Sequence, residues 1–111
     1  MQDLKGTPNQ VEWATQLRVA FFGQFDRSLK QTIADTPEWQ RPLMAELLSA
    51  WRATFEAQLD AAFWIRLRHE DFGVRNFRTQ FQESLTNDPE LKARAIEITT
   101  RAQIEKDRRG D

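Results

Sequence analysis

Ala14, Leu17, Phe21, Phe25, Leu29 and Ile33 recur at steps of three or four residues, and no proline interrupts the chain between Pro8 and Pro37. That spacing follows the 3.6-residue turn of an α-helix and puts all six side chains on one stripe. Val11, Trp13 and Phe22 widen the stripe. A helix from about Pro8 to Ala34 would be roughly 40 Å long at 1.5 Å per residue, whereas a compact chain of this size has a radius of gyration of about 13 Å. A rod of that length needs a second long element beside it. The pattern therefore predicts an elongated helical hairpin.

The start of the rod is written in "KGTPNQVEWATQLR", Lys5 to Arg18. Thr7 suits the N-cap, Pro8 suits the first helical position, and Gln10 completes a capping box. Gly6 lets the chain turn sharply into the cap. Gly23 falls mid-helix, where it costs on the order of 1 kcal/mol relative to alanine. A close helix–helix approach and a tolerated defect both account for it.

The segment "ADTPEWQRP" is punctuation: Thr36-Pro37 repeats the cap-then-proline signal, and Pro42 restarts or kinks the next helix. A second helix is predicted from Pro42 to about Arg68. Leu48, Trp51, Phe55, Leu59, Ala62 and Phe63 form its stripe, widened by Leu47, Ala50, Ala57, Ala61 and Ile65. Such breadth predicts that this helix is the central one. "RHEDFG" reads as a break with Asp71 as candidate cap, followed by a third helix from about Phe72 to Ser84 that buries Phe72, Phe77, Phe81 and Leu85. In "TNDPE", Asn87 or Asp88 caps and Pro89 opens a fourth helix to about Lys106, with the narrow stripe Leu91, Ala95, Ile98 and Ala102. Residues 107–111 read as a frayed tail. With no period-two pattern and no repeat, the expected fold is all-α. It is a long antiparallel hairpin over residues 4–68 plus two shorter C-terminal helices, one small bundle spanning residues 1–111.

Composition closes several routes to function. There is no cysteine, so disulfides, thiolate metal sites and a cysteine nucleophile are excluded. The formal net charge of -1 creates no overall field toward nucleic acid or an acidic membrane, although a local patch can still act. The N-terminus lacks the basic start and apolar run of a signal peptide, and no apolar stretch approaches the roughly 18 residues that span a bilayer. A soluble, cytoplasmic protein is expected.

Leu4, Gly6, Thr7, Gln10, Val11, Trp13, Ala14, Leu17 and Arg18 together form a block that resembles the opening of a family of small helical domains of unknown function from bacteria, phages and plasmids. The family pattern reads L-x-G-[ST]-x-K-Q-[IV]-x-W-A-x-x-[IL]-R. A later W/F-W-I-D-x-R-like segment of that family is similar to "AFWIRLR", where Phe63, Trp64, Ile65 and Arg68 fit. Asn9 stands where the family has Lys, and Arg66 where it has Asp. The likeness covers Leu4 to Arg68. It implies a helical hairpin and a mobile-element setting, and carries no activity with it. Trp13, Phe63 and Trp64 also have a purely structural reading, as aromatics packed between the two helices, with Gln10 and Arg18 closing the hairpin by hydrogen bonds.

Catalytic constellations are thin. His69 is the sole histidine and stands beside Glu70 and Asp71, and three adjacent residues on a helix cannot face one point. A metal site normally needs three or four convergent ligands. Glu56 and Asp60, spaced i, i+4, would share a helix face, but Arg52 four residues before Glu56 makes a surface ion-pair ladder the simpler account. Asp71-Phe72-Gly73 matches the kinase magnesium triplet without the nucleotide loop, strand lysine or catalytic loop that give it meaning. No enzyme activity, cofactor or metal is expected.

Charge is segregated along the chain. Between Trp64 and Arg78, Arg66, Arg68, Arg75 and Arg78 face only Glu70 and Asp71, a surplus of two positive charges. Between Asp35 and Asp60, Arg41 and Arg52 face Asp35, Glu38, Glu46, Glu56 and Asp60, a surplus of three negative charges. The four arginines are the candidate binding residues, suited to carboxylate or phosphate. The expected function is a non-enzymatic protein-interaction module of a bacterial mobile element, acting as a regulator or inhibitor of a larger protein, anti-CRISPR or other anti-defence activity being one form. The rival is nucleic-acid binding by the Arg66–Arg78 segment, with Phe72 and Phe77 either stacking on bases or buried in the core. A protein partner, a second copy paired along helix four, and nucleic acid are the partner classes. A membrane is not.

Overall fold

The computed structural model describes residues 3–108, and over them the protein is an all-α bundle. The helices are α1 (Pro8–Ala34), α2 (Arg41–Glu56), α3 (Ala61–Leu67), α4 (Val74–Asn87) and α5 (Pro89–Arg108), with a single 3-10 turn (Glu38–Gln40) before α2. No β-strand occurs among the described residues, and the one isolated bridge pairs Lys5 with Asp60.

α1 starts and stops where its sequence signals stand. The Gln10 N–H donates to the Thr7 hydroxyl at 3.3 Å, and the Thr7 N–H donates to Gln10 Oε1 at 3.1 Å, which completes the capping box. At the other end Arg41 donates from Nη2 to the Ala34 carbonyl and from Nε to the Thr36 carbonyl, both at 3.1 Å. A cation there meets the negative end of the helix. Thr36 is no cap: its hydroxyl donates back to the Thr32 carbonyl at 2.7 Å. Nothing lies within 4 Å of a Cβ built on Gly23, so that residue serves no close helix contact.

The second predicted helix, Pro42 to Arg68, is two helices. α2 ends at Glu56, and α3 begins at Ala61 with Asp60 as its N-cap, accepting from the Ala62 N–H at 2.9 Å. The break has no proline or glycine in it. It is held by the chain's N-terminal segment: the Lys5 N–H donates to the Leu59 carbonyl at 2.6 Å and the Ala61 N–H donates to the Lys5 carbonyl at 2.9 Å. Trp64 Nε1 also donates to the Gln58 carbonyl at 3.1 Å. These partners replace the helical bonds that continuity would have made. The split also corrects the expectation of a central second helix, because its broad apolar face is shared between α2 and α3. α1 is the element packed against three others, α2, α3 and α4.

α1 and α2 run antiparallel, with Phe21 against Phe55 (ring centroids 4.8 Å apart) and Phe25 against Trp51 (4.9 Å). After the break, α3 turns back alongside the start of α1. α4 then brings Phe77 to 5.0 Å from both Phe25 and Trp51, and Phe81 to 5.1 Å from Trp51. Phe25, Trp51, Trp64, Phe72 and Phe77 are all at most 3% exposed and form the centre of the core. The buried Ser28 hydroxyl donates to the Phe72 carbonyl at 2.7 Å, tying the loop before α4 to α1.

α4 begins later than predicted, at Val74, because Asp71 holds the Gly73 N–H at 2.8 Å and the Asn76 side-chain amide at 2.8 Å in a turn ahead of it. Asp88, with extended backbone, caps α5 by accepting from the Glu90 and Leu91 N–H groups at 3.1 and 3.2 Å. α5 runs on through Arg108, so Asp107 and Arg108 are helical, and the remaining tail residues lie outside the described residues. Phe81 meets Trp51, Arg101 pairs with Glu46, and Lys106 sits over the Trp39 ring. Partner numbers thus fall from Trp51 to Trp39 as they rise from Phe81 to Lys106, so α5 runs antiparallel to α2 and carries the chain on beyond the contact of α4 with Trp51. The result is 57 × 25 × 24 Å, with a radius of gyration of 16.1 Å.

Candidate functional site

Arg66, Arg68, Arg75 and Arg78 are all exposed, the first two at the end of α3 and the last two on α4. Arg66 and Arg68 lie two residues apart at the end of α3, which turns them to different sides of the helix. Arg75 and Arg78 lie three residues apart on α4, both exposed beside the face that buries Phe77 and Phe81. Among the described residues Arg66, Arg75 and Arg78 make no ion pair, whereas Arg52, Arg94 and Arg101 all do. Phe72 is 3% and Phe77 0% exposed, so both belong to the core and neither presents a ring for a base to stack on.

Arg68 is different. Its guanidinium lies 4.9 Å from the centre of the Trp13 ring and donates to the Ile65 carbonyl, so both its stem and its plane are held. Trp13 is not the core residue its place on the stripe suggested: it is 45% exposed. Beside this pair, a surface cavity of about 150 Å³ opens between α1 and α3. Leu17, Ala20, Phe21, Trp64 and Leu67 line it with apolar surface, while Gln24, Arg68 and Glu70 supply the polar groups. Leu17, Ala20 and Gln24 share one face of α1 with Trp13, and the lining extends from Leu17 to Gln24, roughly 10 Å along the helix. The alternation of large and small residues at Leu17, Ala20 and Phe21 was the available sequence signal for this concavity. It was hidden because Leu17 and Phe21 also satisfy the pattern of a buried stripe.

The acidic and histidine residues go separate ways. His69 is exposed just past α3, Glu70 accepts from the Gln80 side-chain amide at 3.2 Å, and Asp71 is occupied by its turn. Glu56 closes α2 while Asp60 caps α3, so the two no longer share a helix face, and Glu56 pairs with Arg52 at 2.7 Å. Arg52 also grips Asp26 with two bonds of 2.8 and 3.1 Å and sits 4.5 Å over the Phe22 ring. The hydrogen bond to Asp26 is the main cause that raises the Arg52 guanidinium above its ordinary value, against burial, which lowers it. Among the described residues, no group of three or more His, Cys, Asp or Glu side chains is placed to hold a metal ion, and no helix is long and apolar enough to cross a membrane.

The two blocks that carry the family resemblance meet at this end of the molecule. Leu4 is 7% exposed in the core, Lys5 bridges to Asp60, and a Cβ on Gly6 would lie 3.1 Å from the Ala61 side chain. Trp13 of the first block lies under Arg68 of the second. Neither departure from the family pattern, Asn9 or Arg66, takes part in an ion pair among the described residues. Comparison of the chain with protein-family models, curated proteins and solved structures finds no match.

Proposed function

We propose that the protein is a non-enzymatic interaction module that docks on a larger protein through the α1–α3 groove around Trp13 and Arg68. The supporting observation is a surface cavity of about 150 Å³, lined by both apolar and polar side chains, left open beside a half-exposed tryptophan with an arginine over its ring. Aromatic and arginine side chains around a small apolar pocket are what protein interfaces use as anchors. Asp60, Asp71 and Glu56, by contrast, are engaged separately in a cap, a turn and an ion pair. The mobile-element setting implied by the resemblance makes a host protein the partner class, with inhibition of a defence nuclease such as a CRISPR effector as its concrete form.

The test is affinity capture from bacterial lysate with the wild type and with Ala20→Leu, which fills the cavity mouth from an exposed position. A protein held by the wild type and lost by the variant supports the reading. Identical sets of captured proteins would refute it. A second reading, nucleic-acid binding, is favoured by the unpaired, exposed Arg75 and Arg78 of α4. Binding of single- or double-stranded DNA that weakens steeply with salt and disappears in Arg75→Glu/Arg78→Glu would establish it.

A further inference from the structure

The charged groups of the α1–α3 groove are not paired with each other. Arg68 is drawn toward Trp13, at the end of the groove nearest the start of α1. Glu70 is drawn the other way, onto Gln80 of α4. That side is also where Gln24 approaches Gly73, since the Gln24 side-chain nitrogen lies 3.6 Å from a Cβ built there. Among the described residues Arg68 has no carboxylate partner and Glu70 has no cationic one. Both line the cavity, whose apolar lining is Leu17, Ala20, Phe21, Trp64 and Leu67 and whose third polar group is Gln24. A closed cavity of about this volume accommodates a benzene-sized group. That is the size of one leucine, methionine or phenylalanine side chain.

Resting on the interaction-module reading, we infer that the groove takes a segment of a partner protein that places one large apolar side chain in the cavity, an acidic residue against Arg68 and a basic residue against Glu70. Opposite charges at the two ends of a groove fix the direction in which such a segment lies, while the apolar anchor supplies most of the affinity. Arg68 is suited to its end because Trp13 and the Ile65 carbonyl already hold its plane, so little side-chain freedom is lost when a carboxylate arrives. Ala20 sets the size limit: it is the small residue at the mouth, and any larger side chain there occupies the anchor's place.

The experiment uses the full chain labelled with nitrogen-15 and three short peptides: acetyl-Glu-Leu-Lys-amide, acetyl-Gln-Leu-Gln-amide and acetyl-Glu-Ala-Lys-amide. The first peptide is expected to shift the Trp13 indole N–H and the Leu17, Ala20 and Leu67 amides. The neutral peptide should shift the same resonances with roughly three- to tenfold weaker affinity, since exposed charge pairs contribute modestly. The alanine peptide should bind at least tenfold more weakly, from the loss of the buried apolar group. Arg68→Gln and Glu70→Gln should each reduce the advantage of the charged peptide without touching its dependence on leucine, and Ala20→Leu should abolish binding of all three. Equal affinity for the leucine and alanine peptides, or no shift at the groove with any of them at tens of millimolar, overturns the inference. If the peptides fail while a captured protein is still lost by Ala20→Leu, this partner chemistry is wrong and the module reading stands. If the peptides bind as expected but no captured protein depends on Ala20, the groove is not a protein-docking site and both readings fall.

Discussion

Gly6 shows how much a single residue can be constrained without being buried. Its φ of +154° is one that L side chains rarely adopt, and a Cβ there would come to 3.1 Å from both Ala61 and Gln10. Gly6→Ala should therefore destabilise the fold by about 1–3 kcal/mol, read as a lower urea midpoint at unchanged slope. Arg52 is a milder case. Its bidentate contact with Asp26 is partly exposed, so a double-mutant cycle with Arg52→Met and Asp26→Ala should give a coupling of roughly 0.5–1 kcal/mol. Its guanidinium is raised in the folded state. A raised base contributes its stabilisation fully below its unfolded value and loses it only as the pH climbs through the folded one. The coupling should therefore stay level as the pH is raised from neutrality to about 10, and a fall over that range in urea titrations would contradict the assignment. At this scale the sequence was legible for Thr7, Gln10 and Asp88, whose roles depend on neighbours within four residues. It was not legible for Trp13, whose exposure is decided by where Arg68 ends up.

Two helices test what local propensity contributes. Gly23 sits in α1 with open space around it, so Gly23→Ala should stabilise by about 1 kcal/mol. That corresponds to a rise in melting temperature of roughly 4 °C for a chain of this size. No rise would mean that the glycine serves something other than packing. Asp88 holds two orphan amides at the start of α5 and separates it from α4 by a single extended residue. Asp88→Ala should cost about 1 kcal/mol, seen in thermal unfolding. α1 and α5 were readable from their periods and prolines because each begins at a signal written next to it, whereas α4 was readable from its period alone and starts at Val74, two residues after its predicted start. The α2–α3 break was not, because residues 57–60 carry a continuous helical pattern. What ends the helix there is Lys5, a residue more than fifty positions earlier, bonding to Leu59 and Ala61. A hydrogen-bond competitor that distant leaves no trace in a local window.

The molecule as a whole is a rod. Small-angle scattering should give a radius of gyration near 16.1 Å, plus a hydration shell, instead of the about 13 Å of a compact chain this long. A value near the smaller figure would mean that α5 folds back on α4 at Asp88. Leu91 and Ile98 of the narrow α5 stripe are buried within the chain and α5 packs on α2, while Ile96 and Ile104 of the same helix are more than half exposed. By itself, the sequence determined that the protein is all-α, where the long first rod begins and ends, and that Phe25, Trp51, Phe55 and Phe81 lie on buried stripes, because helical period, capping and burial of large rings act over short range or on composition. The tertiary structure alone decided that the second rod breaks, that Arg68 settles over the Trp13 ring, and that Trp13 stands at the edge of an open groove. Those outcomes depend on which distant backbone groups find each other once the core has closed, and pairings of that kind are set by three-dimensional proximity, which the order of residues does not display.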